Sequence, residues 1–306
     1  MAYLLAFLAS LFFATSGVLI KIAGDLPPAE IGAIRLLSGA VLVGAAALAT
    51  GHSLRVAPAA RRRFLGYGFI LGLHFLLYIW SFSFTSIAHA LLLVDMSPLF
   101  SAFLSPWLLK EAPSPATYPG MALAMAGVLV LTGFSPEMTS RTLLGDGLAL
   151  AAGLCYALYS LAGRRERQTA HVLTYAFWVY LLAGLFLIPL ALLMGGVKAP
   201  AGKALGAALL MGLLPTAFGH TLFNNALRYG QATYVNLIST QEITGGILLG
   251  WLIIHEAPPP GTYLGGALGL AGIVWMVLAE GRARRRDRKN GHDSRPPRAE
   301  LVETGP

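Results

Sequence analysis

Glu111-Ala-Pro-Ser-Pro-Ala-Thr-Tyr-Pro-Gly-Met-Ala-Leu-Ala-Met-Ala-Gly127 returns 145 positions later as Glu256-Ala-Pro-Pro-Pro-Gly-Thr-Tyr-Leu-Gly-Gly-Ala-Leu-Gly-Leu-Ala-Gly272, with eleven of seventeen positions identical. A period near half of the 306 residues, inside a strongly apolar chain, predicts two copies of one membrane-embedded unit. Such repeats are common where a solute site lies at the meeting of the two copies, near the bilayer midplane.

Composition sets the class. Hydrophobic residues make up 56% of the chain, charged residues only 12%, and the mean hydropathy is +0.66. A soluble domain of this length needs far more charge to cover its surface, so the chain reads as an integral membrane protein. The net charge of +8 does not point to nucleic acid. Half of it lies in residues 281–306, and the basic residues occupy short loops and that tail without aromatic interleaving. Cys155 is the single cysteine, so neither a disulfide nor a cysteine-based metal site can form within one chain. No Lys or Arg precedes the apolar run 3–20 and no cleavage signal follows it, so it reads as a spanning helix.

A spanning helix needs about 20 mostly apolar residues, and lipid permits no other element except a closed barrel. The apolar runs are continuous, which excludes the barrel. Breakers and charges place spans near 3–23, 29–50, 64–84, 87–109 and 116–134, then 145–163, 171–194, 204–226, 231–254 and 261–280. Two spans fit into 64–109 only if a very short turn near Thr85 and Ser86 joins them. The fold expected is an all-α polytopic membrane protein of ten transmembrane helices.

With the N-terminus inside, seventeen of the 22 Lys and Arg residues fall on the inner side or in the tail. The positive-inside rule then puts both termini in the cytoplasm of a cell that carries the protein in its (inner) membrane. Five helices per copy is an odd number, so the second copy enters from the opposite side. The expected organisation is a first five-helix repeat over 1–134, a second and inverted one over 135–280, and a disordered basic cytoplasmic tail over 281–306. Inversion supplies two related gates around one midplane site, which is the basis of alternating access.

Particular stretches carry a family resemblance. Arg35-Leu-Leu-Ser-Gly-Ala lies in the second helix and Met96-Ser-Pro-Leu-Phe in the fourth. Ala226-Leu-Arg-Tyr-Gly joins helices eight and nine, and Gln241-Glu-Ile precedes Leu249-Gly-Trp-Leu-Ile-Ile-His-Glu256. With ten helices in two halves, each closing on a Glu and a Gly-rich last span, the chain resembles the drug/metabolite transporter superfamily, and most of all its EamA-type metabolite and amino-acid exporters. The resemblance covers residues 3–280 and implies transport, with a lean toward export. Two positions depart from the family pattern. Ile243 stands where the family commonly has Pro after the ninth-helix Glu, and Lys110 and His255 stand where it commonly has Gly before each closing Glu.

Ionisable groups deep in a bilayer are costly, so each is read first as functional. Glu242 falls near the centre of its span and Asp95 about one turn from the centre of the repeat-equivalent span. Either can exchange a proton or hold substrate; the competing reading is a structural acid bonded to a neighbouring helix. His74 and Tyr78 share a face of helix three, and His220 and Asn224 show the same spacing in helix eight, with Thr216 a turn earlier. The two polar faces are expected to converge on one cavity. Tyr156 in helix six and Thr15 and Ser16 in helix one lie at similar depth, and either line that path or serve packing and backbone bonding.

Arg35, about two turns into helix two, can snorkel to the interface or attract an anionic group. Pro98 and Pro215 each free a carbonyl, near Val94 and Met211, and predict kinks there. No acid–histidine spacing has the form of a metal site.

The leading expectation is a secondary transporter exporting a small polar or amphipathic metabolite, such as an amino acid, without a cofactor. Protons are the candidate coupling ion, lipid the surrounding partner, and monomer and homodimer are both open. The alternative is a channel or an assembly scaffold. An enzyme finds no support, since the loops hold no catalytic cluster and no G-x-x-x-x-G-K-[ST] phosphate loop occurs.

Overall fold

The computed structural model describes residues 1–24, 26–85, 87–132, 139–195, 202–257 and 262–289. Among the described residues all regular structure is helical, and the protein is an all-α polytopic membrane protein. In chain order, α1 comprises Ala2–Phe13 and Thr15–Ile22, α2 is Pro28–Ala49, and α3 is Pro58–Ser81. Helix α4 comprises Ile87–Val94 and Ser97–Leu108, and α5 is Tyr118–Thr132. The second half holds α6 (Ser140–Glu166), α7 (Val172–Leu193) and α8 (Gly202–Tyr229). It closes with α9, made of Ala232–Ser239 and Gln241–Ile254, and α10, Thr262–Lys289.

Among the described residues nine of these helices are long and apolar enough to cross a membrane. The described part of α5 is 15 residues, and residues 133–138, which include the expected boundary between halves, lie outside the description. The tight turn expected between α3 and α4 is present at Phe82–Thr85, with Ser86 outside the described residues. Helix α10 continues to Lys289, past the end expected at 280; residues 290–306 of the tail are not described. Arg and Lys are good helix formers and sit favourably at a helix C-terminus, so the basic run prolongs the helix.

Four helices depart from regular α geometry, each with a local cause. Helix α4 breaks at Asp95 and Met96, where Pro98 in the first turn of its second segment cannot donate to the Val94 carbonyl. Helix α9 breaks at Thr240, which is 145 residues beyond Asp95. The second break forms without the proline: Thr240 Oγ1 donates to the Leu237 carbonyl at 2.8 Å and satisfies the acceptor that the break releases. Helix α1 is interrupted at Ala14, and α8 widens into π-helical turns over Gly212–His220 around Pro215.

Helix α3 packs on α6 and α7, as α8 packs on α1 and α2. Helix α4 meets α6 as α9 meets α1, and α2–α7, α4–α9 and α5–α10 pair directly. Each contact therefore has its counterpart when the halves are exchanged. The α5–α10 seam depends on glycine: a Cβ on Gly272 would collide with the Ala124 nitrogen and the Gly120 carbonyl. Leu4, Phe7, Leu11, Phe103, Trp107, Leu192, Leu252 and Trp275 face outward, as lipid-facing residues do.

The two ends of the repeat motif share a cap. Lys110 and His255 both adopt φ 57°, and the next residues, Glu111 and Glu256, donate their amides back to Ser105 and Gly250 at 3.4 and 3.2 Å. This left-handed C-terminal cap is the conformation that glycine supplies most cheaply.

Candidate functional site

The discontinuities of α1, α4, α8 and α9 meet around one internal chamber. It is narrow, with a cavity volume of about 20 Å³, and is lined by Ser16, Arg35, His74, Tyr78, Asp95, Tyr156, His220 and Glu242, with Phe13, Phe75 and Val94 as apolar walls. Asp95 reaches it from the break in α4, and Glu242 from the first turn of the second segment of α9. Gly153 of α6 lets the broken backbone of α4 approach closely, since a Cβ there would lie 2.7 Å from the Val94 carbonyl.

Arg35 does not snorkel. Its side chain is buried, Nε donates to Thr216 Oγ1 at 2.8 Å, and the guanidinium carbon stands 4.1 Å over the Phe75 ring. Thr216 reaches it from the π-helical stretch of α8. His74 Nδ1 bonds the Ala152 carbonyl at 3.0 Å, so this nitrogen carries the proton in the neutral ring and Nε2 stays bare. Its ring stacks on Tyr78 at 5.6 Å and contacts Tyr156 at 5.1 Å. His220 packs between Phe13 and Phe75 at 4.6 and 5.3 Å.

Four buried polar atoms of the lining lack a hydrogen-bond partner: Arg35 Nη1, Asp95 Oδ2, Tyr156 OH and His220 Nδ1. Native interiors rarely leave such atoms unpaired, and a cluster of them marks a place for a ligand or water. No ion pair within 4.0 Å joins Arg35 to Asp95 or Glu242, so a cation and two acids share the chamber without closing on one another. Among the described residues no group of three or more His, Cys, Asp or Glu is placed to hold a metal ion.

Of the residues expected from sequence, Glu242, Asp95, His74, Tyr78, His220, Tyr156 and Ser16 meet in this chamber. Thr15 and Asn224 are not among its lining. The Thr15 hydroxyl bonds the Phe12 carbonyl at 2.7 Å beside the break in α1. Asn224 lies one turn beyond His220, where its amide donates to the hydroxyls of Tyr159 and Tyr180.

The end of the bundle with the most arginine is tied by polar contacts. Arg164 donates to the Glu111 carboxylate at 2.9 Å and to the carbonyls of Leu227 and Arg228 at 3.0 and 3.1 Å. Arg63 and Tyr67 both reach Glu166 at 3.1 Å. Just past α6, Arg167 is buried, and burial with the nearby Arg228 draws its guanidinium down to about 10. At the start of α7, His171 Nδ1 accepts from the Leu173 amide at 3.4 Å and stacks on His52 at 3.8 Å. Burial, then His52, holds His171 below its ordinary value. At the other end, Glu256 Oε1 accepts from the Ile87 amide at 3.0 Å and caps α4.

The architecture and both halves of the chain agree with known proteins. A family profile described as the EamA-like transporter family matches residues 1–133 and again residues 143–278. The chain belongs to the EamA-like transporter family. Among its relatives, a probable terminal-alkyne amino-acid exporter of Streptantibioticus cattleyicolor is 30% identical over 65% of this chain and 66% of its own length. The pseudopaline exporter CntI of Pseudomonas aeruginosa is 27% identical over 92% of this chain and 96% of its own. The threonine/homoserine exporter RhtA of Escherichia coli is 28% identical over 72% and 73%. A crystal structure with 22% identity superposes with a TM-score of 0.77 over 92% of this chain and 98% of the other, a likeness of fold alone. This EamA-like protein is a multi-pass membrane transporter for a small molecule, not an enzyme.

Proposed function

We propose that this transporter exports a small amino-acid-like zwitterion by alternating access of two inverted five-helix halves. The observation that carries this reading is the set of unpartnered atoms in the chamber, with the Arg35 guanidinium and the Asp95 carboxyl group both among them. A substrate carboxylate meets Arg35, whose Nε is already held by Thr216, and an ammonium group lies against Asp95 and Glu242. Tyr156 and His220 supply further polar contacts, while Phe13 and Phe75 accept the apolar part of the side chain.

Glu242 is the proton carrier of this scheme. With substrate bound, the ammonium balances the acids; after release, a proton takes its place, since an unpaired buried carboxylate is expensive. Proton binding and substrate binding are thereby mutually exclusive, which is the requirement for exchange. The exporter names of three relatives support the direction, and the bias of arginine toward one end supports cytoplasmic termini in the inner membrane.

Counterflow in proteoliposomes tests the proposal. Labelled L-amino acids, threonine first, are offered to vesicles preloaded with the same unlabelled compound. A carrier gives saturable uptake accelerated by the internal load. Uptake that rises linearly with concentration and ignores the load would be that of a channel and would end the proposal.

A further inference from the structure

A second buried guanidinium lies well away from the chamber. Arg167, at the end of α6, is 1% exposed, yet its Nε and Nη1 have no hydrogen-bond partner. The Tyr175 hydroxyl of α7, from a residue that is likewise fully buried, also lacks a partner and lies within electrostatic reach of Arg167. Arg228, at the end of α8, adds a second positive charge there. Burying a guanidinium without partners beside another cation is costly unless an anion completes the site.

A chain of contacts runs from this place to the chamber. At Gly163 of α6 the helices pack closely: a Cβ there would lie 2.8 Å from Leu227 Cδ1, 3.2 Å from Asn224 Oδ1 and 3.5 Å from the Tyr175 hydroxyl. Asn224 Oδ1 is itself unpartnered, and its amide donates to Tyr159. The Tyr159 ring in turn lies 6.0 Å from Tyr156 and 5.9 Å from His220, both of the chamber wall. Nearby, Arg164 joins Glu111 to the carbonyls at the end of α8.

We infer that Arg167, with Tyr175 and Arg228, forms a binding station for a carboxylate or similar oxyanion at the arginine-rich mouth, from which the group passes along Asn224 and Tyr159 to Arg35. The assignment rests on the chamber reading for its destination, but the station itself can be probed without transport. A lipid phosphate and a free carboxylate share this chemistry; the complete burial of Arg167 and Tyr175 inside the bundle favours the smaller free anion.

The test uses the full chain with Cys155→Ala and Tyr175→Cys, in membrane vesicles of both orientations. The thiol is treated with the anionic reagent 2-sulfonatoethyl methanethiosulfonate or the cationic 2-(trimethylammonium)ethyl methanethiosulfonate. From the arginine-rich face the anionic reagent reacts faster, relative to a free thiol, by on the order of tenfold. Adding Arg167→Gln lowers that preference about fivefold or more, while Arg167→Lys, which keeps the charge, preserves it. Millimolar acetate slows labelling only when position 167 is charged; if vesicles made without anionic lipid lose the preference, the ligand is a headgroup and the free-anion assignment is overturned. A thiol inert from both faces, or a preference indifferent to Arg167→Gln, also overturns it. Neither result depends on counterflow, so failure of this station and failure of the chamber proposal are read separately.

Discussion

Arg35 and Thr216, 181 residues apart in sequence, are joined in the interior by a 2.8 Å hydrogen bond from Nε to Oγ1. Thr216 stands in the π-helical part of α8, so a distortion of one half orients the cation of the other. A hydrogen bond to a charged group contributes about 1.5–3 kcal/mol. Thr216→Val, which keeps the shape, should raise the half-saturating substrate concentration roughly tenfold. The maximal rate should change far less, and Thr216→Ser should restore the affinity. Equal losses in Vmax and Vmax/Km would show that Thr216 does not act through substrate binding.

At the arginine-rich end of the bundle Glu111 and Arg164 pair at 2.9 Å, with side chains 26% and 9% exposed. Glu111→Ala leaves Arg164 buried with only carbonyl partners and should cost about 2 kcal/mol, seen as a lower Tm in detergent. Arg164→Met should cost less, because the half-exposed carboxylate regains water. The reverse order would place the strain on the acid.

Lys110 and His255 occupy left-handed caps that suit glycine. For a residue with a Cβ the conformation costs on the order of 1 kcal/mol. Lys110→Gly and His255→Gly should therefore leave Tm unchanged or raise it by a few degrees, while Lys110→Val lowers it. Destabilisation by both glycines would mean that the side chains, and not the backbone, hold these ends.

His171 gives the fold a pH dependence outside the membrane. Its folded-state affinity for protons is reduced, first by burial and then by His52, and protonation of Nδ1 would remove the acceptor of the Leu173 amide. The unfolded chain takes up the proton first as pH falls. The stability from neutral His171 is therefore complete above about pH 6.5 and is lost as pH falls through the lower folded value. A thermal-denaturation series from about pH 8 to 5 should show a decline that His171→Asn, which keeps a capping oxygen, makes shallower.

Much of this was legible in the sequence because lipid allows so few structures. The 145-residue period set Asp95 and Glu242 in equivalent helices, and Pro98 and Pro215 marked two of the distorted helices. The break in α9 was harder to foresee, since Ile243 removes the expected proline and the backbone is satisfied by Thr240 instead. Arg35 was ambiguous because depth in a helix does not reveal which face is inward. Only the position of Thr216 decides it. A spacing of four put Asn224 on the face of His220 but said nothing of its depth, and one helical turn takes it out of the chamber. The Thr15 hydroxyl turned to its own backbone, as short hydroxyl side chains beside helix breaks often do.

The most direct test concerns Glu242, which shares the chamber with Arg35 and Asp95. Glu242→Gln keeps the shape and fixes the neutral form. In proteoliposomes carrying an imposed pH gradient, the wild type should accumulate labelled substrate against its concentration, while Glu242→Gln should exchange substrate one for one yet accumulate none. Accumulation by Glu242→Gln equal to that of the wild type would contradict the account, and would leave Glu242 a helix–helix contact and not the proton carrier.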